Sequence, residues 1–436
     1  MLKFIYYFKF KVESDMSLKK NTKSFLIILC SAVYFVSYFS RKDFAATMAA
    51  MISAETIDKV TGGFIGMGLF IAYGIGQLIS GYLGDKVRPS TLLLSGLGTT
   101  ALCNLLMPIV PSSAIMIPVW ALNGLAQAML WPPIVRILAD NLDHDSFVKA
   151  NLAVTTAAHV ATILLYLYVP LCLSVFSWEA VFFTASILAF LGMAALVLSL
   201  TFILPKDAIK KPVPKKNAKS DLDIKYFPLL LRAGIIPIFF SIIMMGFLRD
   251  GIESWLPTLY SEAFGRDAGE SILVSVVLPI FSILSITVIT AIHKTKTFKN
   301  EARGSSILFG CVAVTAVPII ILVSSSAVAA RFVCLILSCL VCAFMHGVNF
   351  LFISCLPGRF STYGKAATTS GFCNAFTYVG AAISSYGMAI ISELLGWRAT
   401  VITWMIVGIL GAVFTLLSLR SYTRFINETA EEKTEA

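Results

Sequence analysis

The chain has 436 residues, of which 58% are hydrophobic and 13% charged, and its mean hydropathy is +0.85. Soluble globular domains carry roughly a quarter of their residues as charge, so this composition excludes one and reads as an integral membrane protein. The formal net charge of +10 could suggest nucleic acid, but the bases gather in short loops between apolar runs without an aromatic-interleaved stripe, and no nucleic-acid partner is expected.

Residues 1–23 read as a cytoplasmic N-terminal segment. Its start, Met1-Leu-Lys-Phe-Ile-Tyr-Tyr-Phe-Lys-Phe-Lys, has a short, interrupted apolar core and no small-residue cleavage site before Lys19-Lys20. A cleaved signal is therefore not expected, and Met16 is an alternative start. Apolar runs follow near 24–51, 62–83, 91–110, 114–139, 148–173 and 179–204, each about the length of a spanning helix, so 24–204 is predicted as an N-terminal six-helix bundle. Residues 205–227 are rich in Pro and Lys, which defeats helix burial, and form a cytoplasmic basic linker. Further runs near 228–261, 271–292, 305–324, 328–356, 366–392 and 397–419 make 228–420 a C-terminal six-helix bundle and leave 421–436 as a cytoplasmic tail. The ten-residue alternation of an outer-membrane barrel is missing. The expected fold class is thus an all-α membrane protein with twelve transmembrane helices in two pseudo-symmetric six-helix bundles.

Lys86, Arg88, the central linker, Lys294, Lys296, Lys299, Arg303, Arg359 and Lys365 collect in alternate loops, while Glu55, Asp58, Glu179, Glu262, Asp267 and Glu393 lie in the opposite ones. The positive-inside bias puts both termini in the cytoplasm of a multi-pass inner (plasma) membrane protein. The nine cysteines, from Cys30 to Cys373, sit in apolar runs without paired metal spacing, where Cys acts as a small hydrophobe. No disulfide, metal or cofactor is expected. The phosphate-binding Gly-x-x-x-x-Gly-Lys-Ser/Thr loop, His-Glu-x-x-His and a Gly-x-Ser-x-Gly motif in a suitable context are all missing, so the chain is not read as an enzyme.

Arg41 and Arg249 lie inside apolar runs, each in the first helix of its half. A guanidinium near the bilayer centre costs from about 2.5 to more than 10 kcal/mol, so such residues face a protein interior or a wet cavity, where the planar fork suits phosphate or carboxylate oxygens. The corresponding positions in the two halves fit a duplicated transporter with its site between the halves. Alternatively, Arg41 could serve Asp43, and Arg249 could serve Asp250 or Glu253, although residues one or two apart point to different helix faces.

The loop Gly81-Tyr-Leu-Gly84-Asp85-Lys86-Val-Arg88 joins the second and third runs, with small residues for close helix approach and an Asp85 that can pair with a base. It resembles the signature loop of the major facilitator superfamily, which implies that fold and a gating role for Gly81, Asp85, Lys86 and Arg88. The equivalent loop in the second half, His293-Lys-Thr-Lys-Thr-Phe-Lys, lacks the pattern.

A narrower resemblance rests on Tyr34-x-x-x-Tyr38-x-x-Arg41-Lys42-Asp-Phe, Ala72-Tyr73-Gly74, Trp131-Pro132-Pro133-x-x-Arg136, Ala157-Ala-His159, Arg249-x-Gly-x-x-x-Trp255-x-Pro257-x-x-Tyr260 and Leu395-Gly-Trp397. In this order the motifs resemble the organophosphate:phosphate antiporters, which include glycerol-3-phosphate and hexose-6-phosphate transporters. The resemblance implies that Arg41 and Arg249 bind substrate phosphate with His159 nearby, that Lys42 is a supporting base, and that Tyr34, Tyr38 and Tyr73 surround the pocket. Lys42 could instead snorkel or pair across helices, and His159 could be a core histidine donating to a backbone carbonyl. His346, where these antiporters carry tyrosine, is a further candidate, and Trp131-Pro-Pro is expected to bend its helix.

Three departures change the surroundings. Gln77 replaces a usual pocket lysine, Gly246 a frequent tyrosine, and Asp43, Asp250 and Glu253 add carboxylates that could carry a proton. The expected function is secondary transport of a small organic anion, a phosphorylated metabolite exchanged for inorganic phosphate, by rocker-switch alternating access in a monomer within the lipid bilayer. The alternatives are a proton-coupled organic-anion transporter and a transporter-like sugar-phosphate sensor.

Overall fold

A computed structural model of the protein describes residues 20–84, 87–203, 226–293, 295, 297–325, 327–360, 363 and 365–435. The alternative start at Met16, nearly all of the basic linker, and Asp85 and Lys86 of the signature loop lie outside these residues. Among the described residues every regular element is helical.

The first half comprises α1 (Lys20–Ser53), α2 (Lys59–Gly84), α3 (Pro89–Leu106), α4 (Ser113–Ala128), α5 (Trp131–Asn141), α6 (His144–Leu173) and α7 (Glu179–Leu198), the last running into a π-turn, Ser199–Ile203. The second comprises α8 (Tyr226–Arg232), α9 (Ile235–Phe264), α10 (Ala268–Val274), α11 (Val277–Ile292), α12 (Glu301–Leu322), α13 (Val328–Asn349) and α14 (Ala366–Glu435), with a π-turn, Phe350–Cys355, and a 3₁₀ turn, Leu356–Phe360, after α13. Among the described residues ten segments are long and apolar enough to cross a membrane. The last of them, Thr368–Thr429, is two helices joined at Gly396 (φ 80°, ψ 172°), and α3 adds an 18-residue helix, which is consistent with twelve spans.

Sequence chemistry explains where the helices begin and end. Ser112, Asp143, Asp267 and Asn300 cap α4, α6, α10 and α12, each accepting a first-turn amide that the helix leaves unpaired. Gly234 and Gly265 bracket α9 in the left-handed region that glycine tolerates. The expected bend at Trp131-Pro-Pro falls at a two-residue turn within one membrane-length segment, Ser113–Asn141: α4 ends at Ala128 and α5 restarts with Pro132 in its first turn, where a missing N–H does no harm.

The expected C-terminal tail from 421 onward is instead a continuation of α14, with Tyr422 and Phe425 buried. It is held by a polar knot in which Glu301, 1% exposed, accepts from Arg359 at 2.9 Å and from the Tyr422 hydroxyl at 3.1 Å. Arg88 of the signature loop is the extended, exposed residue before Pro89, and Gly81 lies within α2.

The halves meet along α2 and α14 and along α1, α6 and α9 to α11. Small residues make the first seam tight, because a Cβ on Gly63 would reach Ala389 at 2.7 Å, and the Ser385 hydroxyl donates to the Gly63 carbonyl at 3.1 Å. At this end of the molecule Lys59, only 8% exposed, binds Glu262 at 2.6 Å and Glu393 at 3.2 Å, while the Trp397 indole donates to Glu262 at 2.9 Å.

Candidate functional site

Between the halves lies a cavity of about 250 Å³ lined by residues of α1, α2, α6, α9, α13 and α14. It gathers Arg41, Lys42, Tyr34, Tyr38, Tyr73, His159, Arg249 and His346, all of the candidates for anion contact. Of the three candidate proton carriers, Asp250 and Glu253 reach its wall.

Arg41 is held by aromatic faces. Its guanidinium lies 4.3 Å from the Tyr38 ring centre and 5.1 Å from that of Tyr73, close enough for cation–π attraction. Among the described residues no carboxylate comes within ion-pair distance of it. Tyr34 packs on Tyr38 and on Trp131, with ring centres 4.9 Å apart in both pairs, so α5 braces the cradle from behind.

Arg249 is bound differently. It donates from Nη1 to Asn349 Oδ1 at 2.6 Å and from Nη2 to Asp250 Oδ2 at 2.7 Å. This corrects the expectation that chain neighbours are poorly placed to pair, for the long arginine side chain folds back along the helix to its neighbour's short carboxylate.

Lys42 crosses from one half to the other, with Nζ 2.5 Å from Glu253 Oε2. Glu253 Oε1 meets His346 Nε2 at 2.8 Å, and the Tyr166 hydroxyl donates to the Glu253 carbonyl at 3.4 Å. His159 donates from Nδ1 to the Thr155 carbonyl at 2.8 Å, the core-histidine arrangement, yet its ring also stands 6.4 Å from that of His346 on the cavity wall.

Asp43 is corrected as a cavity carboxylate. It is fully buried, its Oδ1 accepts from the Phe44 amide at 2.8 Å, and it is not part of the wall. Among the described residues the centre therefore holds three cations, Arg41, Lys42 and Arg249, against two carboxylates, Asp250 and Glu253, leaving one positive charge in excess if the histidines are neutral.

Gln77 lines the cavity, where it offers an amide and no charge. Gly246 has a steric reason, because a Cβ there would collide with the Thr377 carbonyl, where α9 and α14 touch backbone to backbone. Reading of the sequence missed Asn349, which aims Arg249, and Tyr378, whose ring lies 4.4 Å from that of Tyr73. An asparagine three residues after His346 in an apolar run was the available signal.

Comparison with known proteins agrees with this architecture. A model of the Major Facilitator Superfamily matches residues 30–371. The chain is 32% identical over 131 residues, 29% of each chain, to a probable hexose phosphate transport protein of Chlamydia pneumoniae. To a glycerol-3-phosphate transporter of Bacillus subtilis it is 29% identical over 54% of this chain and 56% of that one. A membrane sensor protein, UhpC, of Salmonella typhimurium aligns over 92% of this chain and 91% of its own at 21% identity. The first two alignments thus span about a quarter to a half of those relatives. In fold, a bacterial homolog of the human lysosomal transporter Spinster, solved inward-facing and unoccupied, superposes with a TM-score of 0.73 at 12% identity, covering 94% of this chain and 99% of that one. The chain belongs to the Major Facilitator Superfamily, and its relatives there agree with the organophosphate:phosphate antiporter resemblance carried by its motifs.

Proposed function

We propose that the protein is a secondary active transporter that exchanges a small phosphorylated organic anion for inorganic phosphate across the inner membrane, with both termini in the cytoplasm. The observation that carries this reading is Arg41, a half-buried guanidinium in a cavity shared by both halves whose partners, among the described residues, are aromatic faces and no carboxylate. A fork held this way keeps its donors for an incoming anion, and a charge-assisted bidentate contact satisfies it. Arg249, fixed by Asn349 and Asp250, supplies the second contact from the opposite half when the anion takes the place of Asp250. An anion between α1 and α9 draws the halves together, and its release reverses the motion, which is alternating access around a fixed site. The single excess positive charge favours a singly charged phosphate ester over a doubly charged one.

Counterflow in proteoliposomes loaded with phosphate tests this. External radiolabelled phosphate should accumulate, and hexose or glycerol phosphates should compete. If neither phosphate nor its esters exchange, the reading falls; uptake that follows a pH gradient and ignores internal phosphate would assign Glu253 and His346 to proton coupling instead. The sensor relative, aligned over nearly the whole chain, favours a second reading in which the cavity binds a sugar phosphate without moving it. Binding without exchange in the same preparation would select it.

A further inference from the structure

At the cavity wall, three side chains of different chemistry converge, with Glu253 and His346 in the lining and Cys342 behind them. Glu253 Oε1 lies 2.8 Å from His346 Nε2 and 3.8 Å from Cys342 Sγ, and all three atoms lie within 4.8 Å of one another. Cys342 and His346 are four residues apart on α13, which places them one above the other on a single helix face, and Glu253 meets them from α9.

We propose that Glu253, Cys342 and His346 form a binding site for a divalent ion of the zinc class. A sulfur, an imidazole nitrogen and one carboxylate oxygen suit Zn²⁺ or Co²⁺ and disfavour Mg²⁺ and Ca²⁺, which take oxygen shells. Around tetrahedral zinc, with bonds of about 2.0 Å to nitrogen and oxygen, those two ligands would stand roughly 3.3 Å apart, so the site needs to open by about half an ångström. On binding, the Cys342 thiol gives its proton to solvent and the sulfur bonds the metal. His346 binds through Nε2, which gives up to solvent the proton it donates to Glu253 Oε1 while Nδ1 keeps or takes up one from solvent, and Glu253 Oε1 exchanges its contact with His346 for the ion. Glu253 Oε2 keeps Lys42 at 2.5 Å, so the carboxylate is divided, one oxygen toward the metal and one toward the ammonium that orients it. Three protein ligands leave a fourth position, and His346 and Glu253 belong to the cavity wall, so a water or an anion oxygen can fill it.

The site was not readable from cysteine spacing because its ligands come from two helices, and Cys-x-x-x-His alone is a weak pattern. The proposal depends on three side chains and not on the identity of the transported anion, so it can fail while the transport reading stands.

Co²⁺ titration of the purified full-length protein in detergent tests it. One equivalent should produce a thiolate-to-cobalt charge-transfer band with intense tetrahedral visible bands, and Zn²⁺ should bleach both. Cys342→Ser should abolish the charge-transfer band, and His346→Gln should weaken Co²⁺ binding at least tenfold, with both variants monodisperse and helical by circular dichroism. A wild-type protein that shows no thiolate–cobalt band overturns the proposal. So does a band that survives unchanged in Cys342→Ser, since another of the nine cysteines would then be the ligand.

Discussion

Lys42 of α1 and Glu253 of α9 meet at 2.5 Å across the boundary between the halves, and each is less than one-fifth exposed. The pair ties the helix of one arginine to the helix of the other, next to the cavity that both line. Removing one member leaves its partner poorly solvated, whereas removing both removes the conflict. Lys42→Ala and Glu253→Gln should each lower thermal stability in detergent, and the double variant should recover about 1–3 kcal/mol of the summed loss. Strict additivity in that cycle would show that the contact carries no coupling.

The two arginines should respond differently to replacement by lysine. Arg41→Lys keeps the charge but loses the planar fork and its fit to Tyr38 and Tyr73, and should weaken phosphate binding by about 10- to 100-fold. Arg249→Lys should, in addition, release Asn349 and Asp250, and so lower stability as well as affinity. Equilibrium binding of radiolabelled phosphate and thermal unfolding separate the two effects; wild-type binding in both variants would remove these residues from the site.

Asp250→Asn takes away one of two cavity carboxylates and raises the excess charge from one to two. Phosphate monoesters gain their second negative charge at a pKa of about 6. The variant should therefore bind a phosphate ester more tightly as pH rises from 5.5 to 7.5, more steeply than the wild type, because the doubly charged form grows over that interval. Parallel pH profiles of the dissociation constant would contradict the assigned charge count.

Gly246→Ala should destabilise the protein by about 1–3 kcal/mol, since α9 and α14 must separate to admit the methyl group against the Thr377 carbonyl. Arg249 lies one turn further along α9, so the affinity for phosphate should fall too. Unchanged melting temperature and affinity would mean that the backbones part at little cost.

Arg359→Ala strips the 1% exposed Glu301 of its cationic partner, leaving the Tyr422 hydroxyl alone. Breaking a buried pair from one side costs about 3–5 kcal/mol. Arg359→Ala combined with Glu301→Gln should unfold later on heating than Arg359→Ala by itself; the opposite order would show that the knot does not bind its charge this way.

Much of the fold was legible because bilayer-length apolar runs and Pro, Gly and Asp punctuation are local signals. The break before Trp131-Pro-Pro, the cap at Asp267 and the exit at Gly265 follow from residues beside them. The arginines were legible too, since a charge in an apolar run has few places to go. What could not be read was pairing between distant elements. Nothing near Lys42 announces Glu253, 211 positions away, and whether Asp43 faces the cavity depends on the rotation of α1 against its neighbours. The steric reason for glycine at 246 is the Thr377 carbonyl on α14, which no residue near 246 announces. The continuation of α14 past 420 was hidden by its polar sequence, because its burial depends on α12 and on Arg359.

Lys59, which is not among the residues lining the cavity, joins Glu262 and Glu393 of the opposite half under the Trp397 ring, at 5.6 Å from its centre. This cluster gives experimenters a handle on the conformational cycle that leaves the anion contacts untouched. Cysteines substituted at 59 and 262 and joined by a bifunctional thiol cross-linker, long enough to replace the two extended side chains, would hold this end of the halves together, and charge reversal at Lys59 would bias it apart. The two preparations should yield opposite conformers of the same protein for structure determination.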